Sequence, residues 1–464
     1  MDKRSEFFGE FESKMRAAGV RETAIRAFKH SYQSLLAGDT GMIPEASIQV
    51  VSELPRLEQV TNKGGARSSL LSEAVLLKLN GGLGTSMGLE SAKSLLEAKN
   101  GLTFLDFTVK QVLHLSKRDG VPLSFVLMNS FSTSRDTIEF LRRYPELGAP
   151  EQLELMQSQV PKVDAETMRP ITWPANPQLE WCPPGHGDIY PSLLGSGLLD
   201  QWLREGRKYL FVSNSDNLGA NLDLGVLSYF AESGKPFIME VAERTASDSK
   251  GGHLARRGDR FLLRESAQCP QEDLSLFQDI RRHRFFNTNN LWIRLDSLKK
   301  VLEANDGFVQ LPLIKNEKTA DPREKTSRKV FQLETAMGAA IQCFENAGAL
   351  VVPRTRFAPV KTTSDLLALR SDAYEITEDW RVVLAGERPP TVDLDSNHYK
   401  LVDQLEEKLR DGVPSLKNCQ ELVVRGQVLF NSGNVFRGKV SITNASSEPR
   451  SLAPGEYRDR LVAL

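Results

Sequence analysis

An apolar run followed at once by a cluster of glycines is the feature that most limits how this chain can fold. Residues 74–79 are mostly apolar and predict a buried β-strand. Four glycines follow within the eight residues 81–88, and from Ser91 the spacing of apolar residues predicts a helix. We therefore expect a strand, a glycine loop and a helix, an arrangement in which main-chain N–H groups, the helix dipole and Lys93 can bind a bulky anion.

The glycine loop matches neither of two familiar phosphate-binding motifs. A P-loop ends in Gly-Lys-Ser or Gly-Lys-Thr, but here Ala92 precedes Lys93. The dinucleotide fingerprint G-x-G-x-x-G fails because Gly82, Gly84 and Gly88 leave one residue too many in the second gap. A tight strand–helix connection that binds no ligand therefore stays open as an alternative at this point.

The composition is that of an ordinary globular protein rather than a nucleic-acid or membrane protein. The 464 residues carry a formal net charge of −1, so no electrostatic attraction to nucleic acid or to an acidic membrane is expected. The N-terminus lacks the apolar core of a signal peptide, and no apolar run is long enough to span a bilayer. The four cysteines are too scattered for a metal site or a disulfide framework. These features predict a cytoplasmic protein with reduced thiols.

The order of elements predicts an α/β fold with a parallel sheet. Two amphipathic helices are expected before residue 45, and buried strands are expected at residues 123–128, 209–213 and 237–242. Residues 330–345 predict a short strand and then a helix. After about residue 374 the chain changes to a short helix and brief hydrophobic pieces separated by Gly or Asn. We predict a helical segment at 1–45, a main domain at 46–375 and a C-terminal domain at 376–464.

Polar motifs follow several of these strands, where ligands collect in parallel sheets. A glutamine such as Gln157 can match the N3–H donor and O4 acceptor of uracil, whereas cytosine presents the opposite pattern. Asp216 follows a central strand and suits Mg²⁺, which needs only one or two carboxylates when phosphates and water complete its shell. A turn-forming or helix-capping role is the alternative for this aspartate.

Several runs resemble one enzyme family when taken together. Leu79–Thr85 reads LNGGLGT and precedes a Lys-Ser pair, and the runs PPGHGD, SNSDN, NTNN and VKTTSD follow in order. This pattern closely resembles that of the UTP–glucose-1-phosphate uridylyltransferases, also called UDP-glucose pyrophosphorylases. The family usually has Pro where this chain has Ala92. The resemblance implies a Rossmann-like (GT-A-like) nucleotidyltransferase with a mixed sheet, N-terminal helices and a small C-terminal left-handed β-helix.

The resemblance also implies roles for individual residues. Lys93 and Lys361 are expected to be catalytic, and Asp216 is expected to bind Mg²⁺. The implied nucleotide-binding residues are Leu79, Asn80, Gly81, Gly82, Lys93, Gln157, Gly185 and Asp216. The implied sugar-phosphate-binding residues are His186, Asn214, Ser215, Asn289 and Lys361.

The activity implied by the resemblance is the reversible, Mg²⁺-dependent reaction of UTP with glucose 1-phosphate to give UDP-glucose and pyrophosphate. One alternative is a UDP-sugar pyrophosphorylase that accepts other sugar 1-phosphates, although the N-acetylhexosamine branch usually carries a different glycine loop. A second alternative is a non-catalytic UDP-sugar sensor on the same fold, but the chain keeps Lys93, Asp216 and Lys361. The C-terminal β-helix is a candidate surface for oligomerisation.

Overall fold

The structure is a computed structural model that describes residues 7–61, 68–245, 248–324 and 326–464. Residues 1–6 of the predicted helical segment lie outside this description. The α-helices in chain order are α1 (Phe8–Ala17), α2 (Glu22–Leu36), α3 (Leu57–Thr61), α4 (Phe104–Asp119), α5 (Ser134–Leu141), α6 (Ile189–Gly195), α7 (Leu198–Arg204), α8 (Leu224–Ser233), α9 (Leu274–Phe277), α10 (Leu295–Ala304), α11 (Thr363–Arg370), α12 (Ser396–Tyr399) and α13 (Val402–Lys408).

The strands alternate with these helices over much of the chain. In chain order they are β1 (Ala74–Asn80), β2 (Glu97–Lys99), β3 (Leu102–Thr103), β4 (Ser124–Asn129), β5 (Glu154–Met156), β6 (Val160–Pro161), β7 (Val163–Asp164), β8 (Trp181–Cys182), β9 (Tyr209–Asn214), β10 (Phe237–Glu243), β11 (His253–Arg257), β12 (Arg260–Arg264), β13 (Phe285–Arg294), β14 (Ile314–Thr319), β15 (Lys329–Glu334), β16 (Gly348–Val351), β17 (Tyr374–Ile376), β18 (Val382–Leu384), β19 (Thr391–Leu394), β20 (Ser415–Arg425), β21 (Val428–Leu429), β22 (Asn434–Thr443), β23 (Arg450–Ser451) and β24 (Gly455–Ala463).

A mixed sheet of nine strands forms the centre of the molecule. Its main order is β12-β11-β13-β9-β1-β4-β5, and β10 pairs with both β13 and β16. Strands β9, β1, β4 and β5 are parallel, whereas β13 runs antiparallel to β9. The expectation of a parallel sheet is therefore correct for this half, and the whole sheet is mixed. Leu79 pairs with Met128 on one side and Asn214 on the other, so three strands end at the same edge.

Alternating residues of β1 supply the two cores that cover the sheet. Val75 and Leu77 belong to a core shared with α6, α7 and α10, whereas Ala74 and Leu76 belong to a core shared with α4 and α8. A strand that is buried on both faces has a nearly continuous apolar sequence, as this one does. The helices thus hold β1 at the centre of the fold and fix the position of the loop that follows it.

The two ends of the chain pack on this centre differently. Helices α1 and α2 pack through aromatic residues, including Phe11 and Tyr32, against β6, β7 and β15. At the other end, β19, β20, β22 and β24 form a parallel sheet, and β21 pairs in parallel with β23. Neighbouring strands of this segment therefore run in the same direction. The left-handed β-helix and the domain boundaries stay predictions.

Two of the expected helices are wrong. The segment after Ser91 contains only a short 3₁₀ helix at Lys93–Leu95, followed by β2. Leu95 packs on the core next to α4 and α8, whereas Leu96 packs on a separate core with the C-terminal segment, and this division favours an extended chain. The segment after β15 is a 3₁₀ helix at Met337–Cys343 rather than an α-helix, where Gly338 lies close against the sheet.

The described part of the chain contains no helix that is both long enough and apolar enough to cross a membrane.

Candidate active site

A cavity of about 310 Å³ lies where β1, β4 and β9 end. Ten of the thirteen residues that the sequence singles out contribute to its lining, which consists of Leu79, Gly81, Gly82, Lys93, Met128, Gln157, Pro183, Gly185, His186, Asn214, Ser215, Asp216 and Glu334. Two other cavities, of about 330 and 400 Å³, are lined by none of the thirteen. The sequence motifs, though distant in the chain, therefore meet at one place.

The glycine loop folds back on itself instead of starting a helix. The Lys93 amide donates to the Gly82 carbonyl oxygen over 3.1 Å, and Gly84 and Gly88 take left-handed φ values of 69° and 80°. A Cβ atom on Gly81 would lie 2.8 Å from Oε1 of Gln157, so a side chain there would collide with the cavity wall. The expected contribution of a helix dipole to anion binding is therefore wrong, and the loop must act through its main chain and Lys93.

Lys93 and Asp216 form an ion pair across the cavity. The Nζ atom of Lys93 lies 2.7 Å from Oδ2 of Asp216, and their side chains are only 16% and 18% exposed. Oδ1 of Asp216 accepts no hydrogen bond within the ranges that the structure describes. Those ranges contain no cluster of three or more metal-ligating side chains. An oxygen of Asp216 that accepts no hydrogen bond and faces this cavity fits a Mg²⁺ ion held by a single carboxylate, with the rest of its shell from ligand and water.

Gln157 lines the same cavity and is held in one orientation. Its Nε2 donates to the Gly185 carbonyl oxygen over 2.9 Å, and its main-chain amide donates to Asn129. Gly185 has φ = 79°, and a Cβ atom there would lie 2.5 Å from the Thr335 carbonyl oxygen, so only glycine fits. Because the amide cannot rotate without losing this hydrogen bond, its remaining donor and its acceptor have fixed directions.

His186 is neutral at physiological pH. Burial lowers its pKa to about 4, and its Nδ1 accepts a hydrogen bond of 2.9 Å from the Met337 amide. A neutral imidazole that accepts at Nδ1 carries its proton on Nε2. The ring can therefore donate one hydrogen bond from Nε2 without bringing a charge into the site.

Three of the thirteen residues lie off the lining of the cavity. The Asn80 side chain is 2% exposed and donates to the side chains of Asn129 and Thr137, so it links the end of β1 to β4 and α5. Asn289 has φ = 60° and accepts from the side chain of Asn287, on the part of β13 that extends beyond its pairing with β9. Lys361 is exposed and follows Val360, whose amide donates to the Asp216 carbonyl oxygen over 3.4 Å.

Three charged residues in or near the site are not evident from the sequence. Glu334 lines the cavity, and burial raises its pKa. Lys78 lies beneath the cavity in β1, is 2% exposed and donates from Nζ to the Ala220 carbonyl oxygen over 2.5 Å. Burial raises the pKa of Glu265, and the nearby ammonium group of Lys361 opposes that rise. A lysine inside the apolar run AVLLKLN is the one sequence signal that could have found Lys78.

Comparison with known proteins identifies the family. A sequence model described as UTP–glucose-1-phosphate uridylyltransferase matches residues 25–437. The chain belongs to this uridylyltransferase family. The UTP–glucose-1-phosphate uridylyltransferase of Solanum tuberosum is 38% identical over 94% of this chain and 91% of its own length.

Solved structures of uridylyltransferase relatives share the whole fold. A UDP-glucose phosphorylase from Trypanosoma brucei is 50% identical, with a TM-score of 0.92 over 99% of this chain and 100% of that one. A variant of the UDP-glucose pyrophosphorylase from Leishmania major, in complex with UDP-glucose, is 48% identical, with a TM-score of 0.94 over 99% of both chains.

Proposed function

We propose that this protein joins UTP and glucose 1-phosphate to form UDP-glucose and pyrophosphate, reversibly and with Mg²⁺. The observation that carries the proposal is the cavity, in which Gln157, the glycine loop and the Lys93–Asp216 pair meet in a chain of the uridylyltransferase family. The cavity is open to solvent, and its lining includes the oriented amide of Gln157 and the ammonium group of Lys93. These are the parts that a uridine nucleotide requires.

Gln157 selects the base in this proposal. One hydrogen on Nε2 is used by the Gly185 carbonyl oxygen, which leaves the second to donate to uracil O4 while Oε1 accepts from uracil N3–H. Cytosine would need the amide turned by half a revolution. That rotation would place Oε1 against the Gly185 carbonyl oxygen, so the discrimination rests on an orientation that the fold already fixes.

The phosphates are handled by charge and position rather than by a protein nucleophile. An oxygen of glucose 1-phosphate attacks the α-phosphorus of UTP, the bond to the β-phosphate oxygen breaks, and pyrophosphate leaves with that electron pair. Negative charge gathers on oxygens that lie between Lys93 on one side and Lys361 on the other. Asp216 would hold the Mg²⁺ ion, which when bound neutralises phosphate charge. The amides of Gly81 and Gly82 add donors.

The sugar phosphate is placed by neutral groups. His186 offers Nε2–H, and Asn214 and Ser215 line the same cavity. Asn289 extends this group along β13 beyond the pairing with β9. Neutral donors and acceptors suit the hydroxyl groups of a hexose because they bind without adding charge to an already anionic site.

A pyrophosphate-release assay with UTP and a panel of sugar 1-phosphates tests the proposal. We expect Mg²⁺-dependent release with glucose 1-phosphate and much slower release with galactose 1-phosphate and N-acetylglucosamine 1-phosphate. Equal rates across the panel would instead support a UDP-sugar pyrophosphorylase of broad specificity. Tight binding of UDP-glucose without any turnover would support a sensor and contradict the proposal.

The proposal extends to the organisation of the chain. We propose the division 1–45, 46–375 and 376–464, with the last part a left-handed β-helix that offers a surface for oligomerisation. The parallel stacking of β19, β20, β22 and β24 supports this description. A cytoplasmic location stays a prediction from the sequence.

A further inference from the structure

Asn217 connects the two parts of the site that carry the phosphate-binding charges. It directly follows Asp216, is 1% exposed and makes three hydrogen bonds through its side chain. Its Nδ2 donates to the Arg356 carbonyl oxygen over 3.2 Å. Its Oδ1 accepts from the amides of Ala358 over 3.0 Å and Gly219 over 3.2 Å. One amide side chain thus bonds both its own loop and a distant segment.

The segment that Asn217 holds leads directly to Lys361. Asn217 also forms a main-chain bridge with Pro359, and the next amide, that of Val360, donates to the carbonyl oxygen of Asp216. The chain from residue 356 to residue 360 therefore lies along the loop that carries Asp216. Lys361 is the first residue beyond these contacts, and its own side chain makes no ion pair among the described residues.

Buried side chains hold both segments that Asn217 connects. Arg356 donates to the Glu240 carboxylate from Nε over 2.8 Å and from Nη2 over 2.7 Å, and both side chains are buried. Lys78 holds the far end of the Asp216 loop through the Ala220 carbonyl oxygen. Arg356 also donates to Asn221 of the same loop. Among these contacts, the side chain of Asn217 is the one that bonds directly to the main chain on both sides, at Gly219 and at Arg356 and Ala358.

We propose that Asn217 is a positioning residue that fixes the separation between Asp216 and Lys361, so that both charges reach the same phosphates. This inference rests on the proposed function and goes beyond it, because Asn217 itself does not line the cavity. An amide is required because the side chain must donate to the Arg356 carbonyl oxygen and accept from the Ala358 N–H at the same time. Displacing a charged group by about 1 Å is enough to cost about 100-fold in rate.

Asn217→Ala tests the link, with Asn434→Ala as the matched control. Asn434 is also fully buried and also makes three side-chain hydrogen bonds to the main chain, but it lies in the C-terminal sheet. We expect Asn217→Ala to lower kcat about 100-fold, with Mg²⁺-free binding of UDP-glucose by calorimetry changed less than about threefold. Asn434→Ala should lower the melting temperature while keeping kcat.

Asn217→Asp tests the need for an amide with a side chain of nearly the same shape. Its carboxylate keeps the acceptor for the amides of Ala358 and Gly219 but has no hydrogen for the Arg356 carbonyl oxygen. We therefore expect kcat to fall about as far as in Asn217→Ala, while Mg²⁺-free binding of UDP-glucose keeps its stoichiometry, which misfolding would lower, and its affinity within about threefold.

The outcomes separate the inference from the proposed function. Absence of pyrophosphate release by the wild type refutes the proposed function, and the role of Asn217 in that reaction falls with it. An active wild type together with an Asn217→Ala variant within about threefold of its kcat overturns the inference alone. Equal loss of kcat in Asn217→Ala and Asn434→Ala, or a wild-type kcat in Asn217→Asp, also overturns it.

Discussion

The two lysines of the site lie in opposite settings, although both are assigned to the same phosphates. Lys93 is 16% exposed, lies beside a central strand and is already paired with Asp216. Lys361 is exposed, and its ammonium group lies 5.9 Å from the centroid of the Phe357 ring. One cation is therefore fixed by the fold before substrate arrives, whereas the other is held only through its main chain.

This difference separates what the fold needs from what the reaction needs. The environment of Lys93 is part of the cavity wall, so a change there alters Asp216 as well. Lys361 is exposed and makes no ion pair within the described part of the chain, so its removal should change the reaction of the substrate and leave the stability of the fold almost unchanged. Electrostatic stabilisation by a preplaced group is effective because no reorganisation is required during the reaction.

Lys361→Ala should have the largest effect on turnover and almost none on stability. We expect kcat to fall by about 100- to 1,000-fold, as is typical when one group that stabilises transition-state charge is removed. The free energy of unfolding should change by less than about 0.5 kcal/mol because the side chain is exposed. Pyrophosphate release and thermal unfolding measure the two quantities, with Lys300→Ala on the exposed side of α10 as the control. Normal turnover would refute the role of Lys361.

Gln157→Glu should reduce discrimination between UTP and CTP. The carboxylate has no hydrogen to give to the Gly185 carbonyl oxygen or to uracil O4, so two hydrogen bonds are lost. We expect kcat/KM for UTP to fall about 100-fold, which reflects buried polar groups left without partners. Competition between the two nucleotides in one assay measures the ratio directly. An unchanged ratio would mean that Gln157 does not contact the base and would refute its assignment.

Lys93→Ala should lower activity but strengthen Mg²⁺ binding to the free protein. Removal of the ammonium group releases Oδ2 of Asp216 from its 2.7 Å contact and removes a competing positive charge. We expect affinity for Mg²⁺ to rise about three- to tenfold, since partly exposed ion pairs contribute about 1 kcal/mol. Lys93→Arg keeps the charge and should not show the gain. Weaker Mg²⁺ binding in Lys93→Ala would mean that Asp216 is not the metal ligand.

The sequence predicts the strands of the site well because their burial is visible in their composition. The strands expected at residues 74–79, 123–128 and 209–213 are confirmed as β1, β4 and β9, and residues at their ends line one cavity. The segment after Ser91 is wrong as a helix because Leu95 and Leu96 pack on different cores, and single-sequence periodicity carries no information about which core a residue will join. The same limit hides Glu334, which reaches the cavity from a peripheral strand.

Long-range contacts are the other part that could not be predicted. Nothing near Asn217 in the chain indicates that its side chain will meet Arg356 and Ala358. Gly185 shows both limits. It is conspicuous in the sequence, but glycine is required there because Thr335, which is distant in the chain, lies too close for a side chain. Motif resemblance points to the family, whereas the physical reason for each motif residue lies in its distant neighbours.

Lys78→Met should have the smallest effect on turnover, because it acts on stability instead. Burial lowers the pKa of Lys78 to about 7, while in the unfolded chain it is near its usual value of about 10.5. Between these values the unfolded chain binds one more proton, so stability should rise with pH by up to about 1.4 kcal/mol per pH unit from this group.

In Lys78→Met this contribution disappears, and the slope of unfolding free energy against pH between about 7 and 10 should be smaller than in the wild type. Denaturant unfolding at several pH values measures the slope. Lys300→Met, an exposed lysine exchanged in the same way, is the control and should leave the slope unchanged. An equal slope in wild type and Lys78→Met would show that Lys78 stays charged beneath the cavity. The Ala220 carbonyl oxygen would then accept from an ammonium group throughout this pH range, and Lys78 would differ from Lys361 only in its burial.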